Sequence, residues 1–176
     1  MGKHIFRLER YVDSMSHLRR LEDAQPKSDK SNLNSYVAAI ADSAKILCEQ
    51  NGKTLSIQNN ISDSLICLDY TFISQVNNNL ISNALRYAKS KVHITYVSNN
   101  DGFYLSVSDD GRGFSKDILR KATSPYFTEE ENHSEHFGLG LYICKILCEH
   151  HNGYLKIENR SNRAKVTAFL NLSISR

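Results

Sequence analysis

Residues 107–142 read VSDDGRGFSKDILRKATSPYFTEEENHSEHFGLGLY, and the reading of the whole chain turns on them. The stretch opens on Asp109-Asp110-Gly111-Arg112-Gly113 and closes on Phe137-Gly138-Leu139-Gly140-Leu141. Between these clusters lies a polar run from Thr128 to His136. The chain has only eight glycines in 176 residues, and four of them fall in the two clusters. Glycine admits positive φ and close approach of a ligand, at an entropic cost. Two such clusters flanking a polar loop suggest a nucleotide pocket beneath a lid. Two ordinary turns are the alternative, and short glycine motifs alone do not separate the readings.

Upstream of this stretch, hydrophobic periodicity changes character several times. Residues 3–22 read as a helix, with Ile5, Leu8, Val12, Met15, Leu18 and Leu21 at spacings of three and four. Val12, Met15 and Leu18 form a seam suited to partner helices. A polar linker with Pro26 follows. Ser31 to Asn34 reads as a short edge strand, and Ser35 as the cap of a helix to about Gln50. Thr54 to Ile61 and Ser64 to Leu68 read as strands, expected to pair as a hairpin around Ser62-Asp63. Tyr70 to Ala88 has a helical core face of Phe72, Ile73, Val76, Leu80, Ile81, Ala84 and Leu85. Val92 to Val97 and Phe103 to Val107 flank Asn99-Asn100-Asp101-Gly102, a hairpin signal.

Downstream, Ile118 to Ala122 reads as a short helical turn. Gly138 to His150 reads as a third long helix, stopped by Asn152-Gly153. Tyr154 to Asn159 and Lys165 to Leu172 form a last hairpin. The order predicts an α/β (α+β) two-layer sandwich, in which a mixed, mostly antiparallel sheet carries three helices on one face.

Composition excludes several functions. Apolar content of 40% and charged content of 23% suit a soluble globular chain. A net charge of +3 without a basic stripe gives no footprint for nucleic acid. No apolar run approaches the roughly 18–20 residues that cross a bilayer, so the fragment is expected to be cytoplasmic and to make no membrane contact. Any membrane anchor of its parent would lie outside this sequence. Cys48, Cys67, Cys144 and Cys148 include no Cys-x-x-Cys pair, and Cys144 and Cys148 read as small apolar residues on a buried helix face.

The helix from Tyr70 carries a polar line that its core does not require. Asn79, Asn83, Arg86 and Tyr87 fall at i, i+4, i+7 and i+8, along one side. Asparagine is a poor helix former, yet Asn77, Asn78 and Asn79 are consecutive and Asn83 follows. An amide oxygen suits Mg²⁺, which takes few protein ligands. Arg86 would neutralise phosphate oxygens, and Tyr87 would pack beside a nucleotide. A solvated helix face is the plainer alternative for this line taken alone.

An Asn-bearing helix, an Asp-x-Gly-x-Gly turn after a strand, and a Gly-Leu-Gly-Leu opening a helix occur in that order. The combination resembles the Bergerat-fold (GHKL) ATP-binding superfamily, and within it the catalytic and ATP-binding domain of sensor histidine kinases of two-component systems. Residues Asn79 to Tyr87 are similar to the N box, and Asp109 to Phe114 to the G1 box. Pro125-Tyr126-Phe127 is similar to the F box, and Gly138-Leu139-Gly140-Leu141 to the G2 box. The likeness covers roughly residues 31–172.

The resemblance implies ATP and Mg²⁺ as cofactors. It implies that Asn83 holds Mg²⁺, that Asp109 accepts from the adenine amino group, and that Gly111 and Gly113 let the backbone approach the base. By the same resemblance, Phe114, Tyr126 and Phe127 would belong to that pocket. Gly138, Leu139, Gly140 and Leu141 would turn backbone N–H groups to the phosphates at a helix start. Arg86 stands where Lys or His is common, with charge kept. Residues 123–137 would form the lid. Hydrolysing relatives carry Glu at the position of Asn79, which cannot take a proton at neutral pH; little hydrolysis is expected, with transfer to a histidine on another element instead. Two departures stand out: His136 replaces a Gly of the fuller G2 pattern, and Thr128-Glu129-Glu130-Glu131 replaces a lid often rich in Lys or Arg.

The resemblance also divides the chain. Residues 1–24 would be the second helix of a truncated dimerisation and histidine-phosphotransfer hairpin, 25–30 a linker, and 31–176 the catalytic domain. The acceptor motif is His followed by an acidic residue. His4 precedes Ile5 and His17 precedes Leu18, so neither fits, and the acceptor is expected outside this chain. Implied partners are the kinase's own hairpin, a second copy in a full-length homodimer, and a cognate response regulator. The rival readings are an anti-sigma-factor-type serine kinase, a hydrolysing ATPase opposed by Asn79, and a degenerate nucleotide- or partner-binding module.

Overall fold

The structure is a computed structural model, and it describes residues 30–62, 65–67, 70–124, 139–161 and 163–171 together with Ser16. In chain order the elements are β1 (Lys30–Asn32), α1 (Leu33–Gln50), β2 (Thr54–Asn60), β3 (Leu65–Cys67), α2 (Tyr70–Tyr87), β4 (Lys91–Ser98) and β5 (Gly102–Asp109). They continue with α3 (Lys116–Lys121), α4 (Gly140–His150), β6 (Tyr154–Arg160) and β7 (Arg163–Asn171). Apart from Ser16, the expected helix over residues 3–22 lies outside the described residues, as do nearly all of the linker, residues 125–137 of the expected lid, and Gly138.

Helix α1 begins earlier than expected. Its cap is Asn32, whose Oδ1 accepts the Asn34 N–H at 2.8 Å, rather than Ser35. Asparagine caps as well as serine does, and starting there puts Leu33 among the buried residues Val37, Ile40, Ala44 and Cys48. The helix stops at Asn51-Gly52, where Gly52 takes φ +63° and Lys53 N–H reaches back to Cys48 O at 2.9 Å.

The main sheet has the strand order β2-β4-β5-β7-β6. Three of its four pairings are antiparallel, while β2 and β4 run parallel. Here one expectation is overturned: β2 and β3 do not form a hairpin. Instead β3 pairs with β1, Lys30 opposite Cys67 and Asn32 opposite Leu65. The chain from β2 to β4 passes through α2, a crossover long enough to permit a parallel partner. That register sets Leu55 beside Val92 and Ile57 beside Ile94, keeping apolar side chains on one face.

Alternation makes the sheet two-sided. Val92, Ile94 and Tyr96 on β4, Phe103, Leu105 and Val107 on β5, and Ala164, Val166, Ala168 and Leu170 on β7 are buried beneath α1, α2 and α4. Each large aliphatic side chain buried there contributes about 1.5–3 kcal/mol. The opposite face is largely polar, with Ser106 Oγ and Thr167 Oγ1 2.9 Å apart. Its aromatic end stacks Tyr104 and Tyr154 about Phe169, with centroids 4.6 and 5.1 Å away. The result is the expected two-layer sandwich with three long helices on one face.

Within α2 the asparagine run divides by role. Asn77 is fully buried. Its Nδ2 donates to Ile40 O of α1 at 3.2 Å, and its Oδ1 accepts from Tyr96 Oη of β4 at 3.1 Å. It therefore ties three elements together at the centre of the core. Asn78 is exposed, while Asn79 and Asn83 are half-buried along the polar side.

Candidate functional site

The polar line of α2 leads to its C-terminal end, and that end meets the loop after β5. Lys53 Nζ donates to Ala88 O and Lys89 O, both at 2.9 Å, tying down the two residues that follow the helix. Asp110 holds the next two residues. Its Oδ1 accepts the N–H groups of Lys89 at 2.8 Å and Ser90 at 3.0 Å, and its Oδ2 accepts Ser90 Oγ–H at 2.7 Å. The Asp110 N–H returns a bond to Lys91 O at 3.2 Å. Burial works to raise the Asp110 pKa, but the bonds from Ser90, Lys91 and Lys89 outweigh it and hold the carboxyl well below the usual range.

Asp109 sits one residue earlier on the opposite face of β5, beside Val92 in register, and is buried. Its Oδ1 accepts the Gly111 N–H at 2.8 Å. Burial pushes its carboxyl pKa up; the Gly111 bond opposes this, and the neighbouring Asp110 charge adds to it. The outcome is a partly desolvated acceptor at the end of a central strand. Gly111 fits only as glycine, since a Cβ there would lie 2.3 Å from Tyr87 O and 2.6 Å from Asp109 Oδ1. The helix end and the strand-end turn are thus in direct contact through Tyr87 and Gly111. Gly113 takes φ +76°, a turn that glycine accepts without strain.

Phe114 is buried at the exit of this loop. Its N–H donates to Asn159 Oδ1 and its C=O accepts from Asn159 Nδ2, both at 2.8 Å. Ser115 then caps α3 through Ile118 N–H at 3.2 Å.

Helix α4 closes the third side against α2. Cys144 Sγ donates to Val76 O at 3.8 Å, one turn before Asn79. Asn79 Nδ2 is buried and makes no well-formed hydrogen bond, although its amide lies near enough to Cys144 to favour the thiolate. We read this as a loose N–H···S contact, because burial dominates and drives the Cys144 pKa well up. Leu139, just before α4, is buried and receives Ile143 N–H at 2.8 Å. No side chain caps α4 at Leu139. A Cβ at Gly140 would meet nothing within 4 Å, and Leu141 follows in the first turn.

The structure therefore joins Tyr87 of α2 to Gly111 in the turn that follows Asp109, sets Asn79 of α2 against Cys144 of α4, and leaves Leu139, Gly140 and Leu141 at the start of α4. Arg86 stacks its guanidinium over Tyr87 at 5.4 Å. It also borders a groove of about 230 Å³ with Leu47, Asn51, Ser82 and Leu85, on the side facing α1. Tyr126, Phe127 and Gly138 lie outside the described residues. Cys48, Cys144 and Cys148 are buried free thiols, as the apolar reading of Cys144 and Cys148 predicts, and burial lifts Cys148 to about 12. His151 is buried too. Its Nδ1 lies 2.9 Å from Leu147 O, and its ring stands edge-on to Phe72 at 5.1 Å.

Four positioning residues escaped the sequence reading: Lys53, Asn77, Asp110 and Asn159. Asp110 stood inside a recognised cluster without a role. Asn159 had a faint signal, a polar residue ending the Leu155, Ile157 alternation. Lys53 had none.

A family model described as histidine kinase-, DNA gyrase B-, and HSP90-like ATPase matches residues 68–174. The sensor histidine kinase CpxA of Escherichia coli (strain K12) is 27% identical over 135 residues, covering 75% of this chain and 30% of that protein. The sensor protein BasS of Salmonella typhimurium is 26% identical over 173 residues, covering 94% of this chain and 48% of that protein. The chain spans less than half the length of these relatives. The solved catalytic domain of histidine kinase ThkA, in a nucleotide-free form, superposes with a TM-score of 0.70 at 26% identity, covering 82% of this chain and 95% of that one.

Proposed function

The chain belongs to the histidine kinase-, DNA gyrase B-, and HSP90-like ATPase family, and from that premise we propose that it is the ATP-binding catalytic domain of a sensor histidine kinase, transferring the γ-phosphoryl group of Mg-ATP to a histidine on a dimerisation hairpin. One observation carries the reading: the Asn83-bearing helix ends in contact with the Asp109–Gly113 turn, through Tyr87 O and Gly111. Metal-and-phosphate chemistry and base recognition are thereby neighbours.

The donor set fits Mg-ATP. Among the described residues no group of three His, Cys, Asp or Glu side chains stands together. Mg²⁺ shared with phosphates needs only one or two protein oxygens, and half-buried Asn83 offers one. Bound there, Mg²⁺ would neutralise charge on the phosphate oxygens. Asp109 is an acceptor only, so it selects an exocyclic amine, as in adenine, over a carbonyl. Gly111 and Gly113 line the base, with Phe114 behind them. The uncapped start of α4, at Leu139-Gly140-Leu141, presents N–H groups and the positive helix end to the phosphates. Arg86 adds positive charge. Tyr126, Phe127 and Gly138 complete the pocket in this reading.

Asn79 sets the reaction class. It is neutral and its Nδ2 is turned into the interface with Cys144, so it offers water no base. A neutral imidazole needs none; positioning and charge stabilisation are what phosphoryl transfer asks of the protein. The proposed partners are the kinase's own hairpin, a second copy in the full-length dimer, and a response regulator. A cytoplasmic setting suits this chemistry, and no helix among the described residues is long and apolar enough to cross a membrane.

The test mixes the chain with Mg-ATP and a separate hairpin bearing the acceptor histidine, and looks for acid-labile phosphohistidine. Transfer that disappears with Asn83→Ala supports the proposal. ATP binding without transfer to any hairpin supplied would sink the kinase reading and leave a nucleotide-binding module.

A further inference from the structure

We propose that Asn159 is a positioning residue of the nucleotide site, its carboxamide fixing the path of the loop that carries Gly111 and Gly113 by grasping both peptide groups of Phe114. The inference rests on the reading of that loop as the wall of the base pocket.

Asn159 lies near the end of β6, on an edge of the main sheet. Alternation gives it the same face as Leu155 and Ile157, but at a point where the residue is largely exposed. An exposed carboxamide has water for a partner, and burial does not force it to bond elsewhere. Yet it makes two 2.8 Å bonds to one residue, accepting the Phe114 N–H and donating to the Phe114 C=O. Phe114 is itself buried, so its backbone groups need partners. The paired bonds imitate one rung of a sheet ladder, and they define both the distance and the orientation of the Phe114 backbone. A single bond would leave the loop free to pivot.

The other end of the loop is fixed as firmly. Asp109 and Asp110 belong to β5 and to the turn stapled at Ser90. Only Gly111, Arg112 and Gly113 lie between the two anchorages. Two glycines in three residues would be mobile if either anchorage were lost. Asn159 is 45 residues from Phe114 in sequence, so the hairpin of β6 and β7 holds the adenine side of the pocket from outside. The prediction is a site preformed before nucleotide arrives, and an affinity set partly by a residue that never touches it.

The experiment compares the intact chain with Asn159→Ala. ATP affinity is measured by calorimetry, global stability by urea unfolding, and loop opening by amide hydrogen exchange at Phe114. Phosphoryl transfer to an added acceptor hairpin separates KM from kcat. The expected result is faster exchange at Phe114 and an ATP Kd and KM raised about five- to tenfold, the scale of one or two lost hydrogen bonds. The rate at saturating ATP should stay within about twofold of wild type, since the phosphate side is untouched. A variant that exchanges faster at Phe114 yet binds ATP like wild type overturns the inference. So does an affinity loss fully accounted for by a larger globally unfolded fraction. A wild-type chain that binds no ATP overturns the proposed function as well, whereas normal wild-type binding with an unaffected variant overturns this inference alone.

Discussion

Tyr96 Oη donates to Asn77 Oδ1 at 3.1 Å, linking the central sheet to the helix that carries Asn79 and Asn83. Both residues are fully buried. Tyr96→Phe leaves that carbonyl oxygen without its donor, a cost of about 1–3 kcal/mol. Urea unfolding should show the loss with an unchanged m-value, and Asn77→Ala with Tyr96→Phe together should cost less than the sum of the two. Full additivity would mean that the two side chains do not act as a pair.

Asp110 couples its own charge to stability. Its pKa in the folded chain is depressed, against about 3.9 when unfolded. The folded state therefore binds the proton more weakly, and the stabilisation is complete above the unfolded value. It drains away as pH falls from about 4 toward the depressed folded value. Asp110→Ala should lower the melting temperature at neutral pH, and the gap to wild type should narrow below about pH 4. A gap constant with pH would contradict the assignment.

Asp109 shifts the other way, its pKa raised chiefly by burial. As the proposed acceptor for adenine it must be ionised. ATP affinity should therefore fall on acidification with a midpoint above the ordinary value of about 3.9. Asp109→Asn should weaken binding at neutral pH and flatten that dependence. A wild-type pH profile in the variant would remove Asp109 from base recognition.

Gly111 has no room to grow. A methyl group added there would approach Tyr87 O to 2.3 Å, and that oxygen is backbone, so relief requires moving α2 away from the loop. Gly111→Ala should cost about 1–3 kcal/mol and weaken ATP binding beyond the loss of folded protein. Gly52, where an added Cβ would meet nothing within 4 Å, offers the contrast. Its alanine variant should strain the positive-φ turn and leave nucleotide affinity alone.

Much of this architecture was legible in residue patterns. The spacing of Val76, Leu80 and Ala84 declared a helix, and Asn99 to Gly102 declared a hairpin that the structure contains, with Asn99 Oδ1 accepting Asp101 N–H at 3.0 Å. Of the polar line from Asn79 to Tyr87, Asn79 meets Cys144 of α4 while Arg86 borders the groove toward α1. Strand partnership was less legible. Nothing local to Thr54–Asn60 states that its neighbour is Lys91–Ser98, more than thirty residues away and parallel; the hydrophobic register decides it only once α2 has crossed over. The asparagine run was also ambiguous, because Asn77 serves the core while Asn79 and Asn83 are only half-buried. An amide's role depends on which neighbours reach it, and spacing alone does not carry that. Asn159 and Lys53 act through long-range bonds to backbone atoms, which leave no trace in the identity of the residues they hold.

The three buried thiols have a practical consequence. Cys48 sits on α1, and Cys144 and Cys148 on α4, all sealed from solvent. Burial keeps them in the unreactive thiol form. An alkylating reagent can reach them only when a helix lifts from the sheet, so the rate of modification is a clock for opening. Cys48 reports on one flank of the α2 helix and Cys144 on the other. With no engineered label, the chain records which side of its layer of helices loosens first and whether a bound ligand slows that side alone.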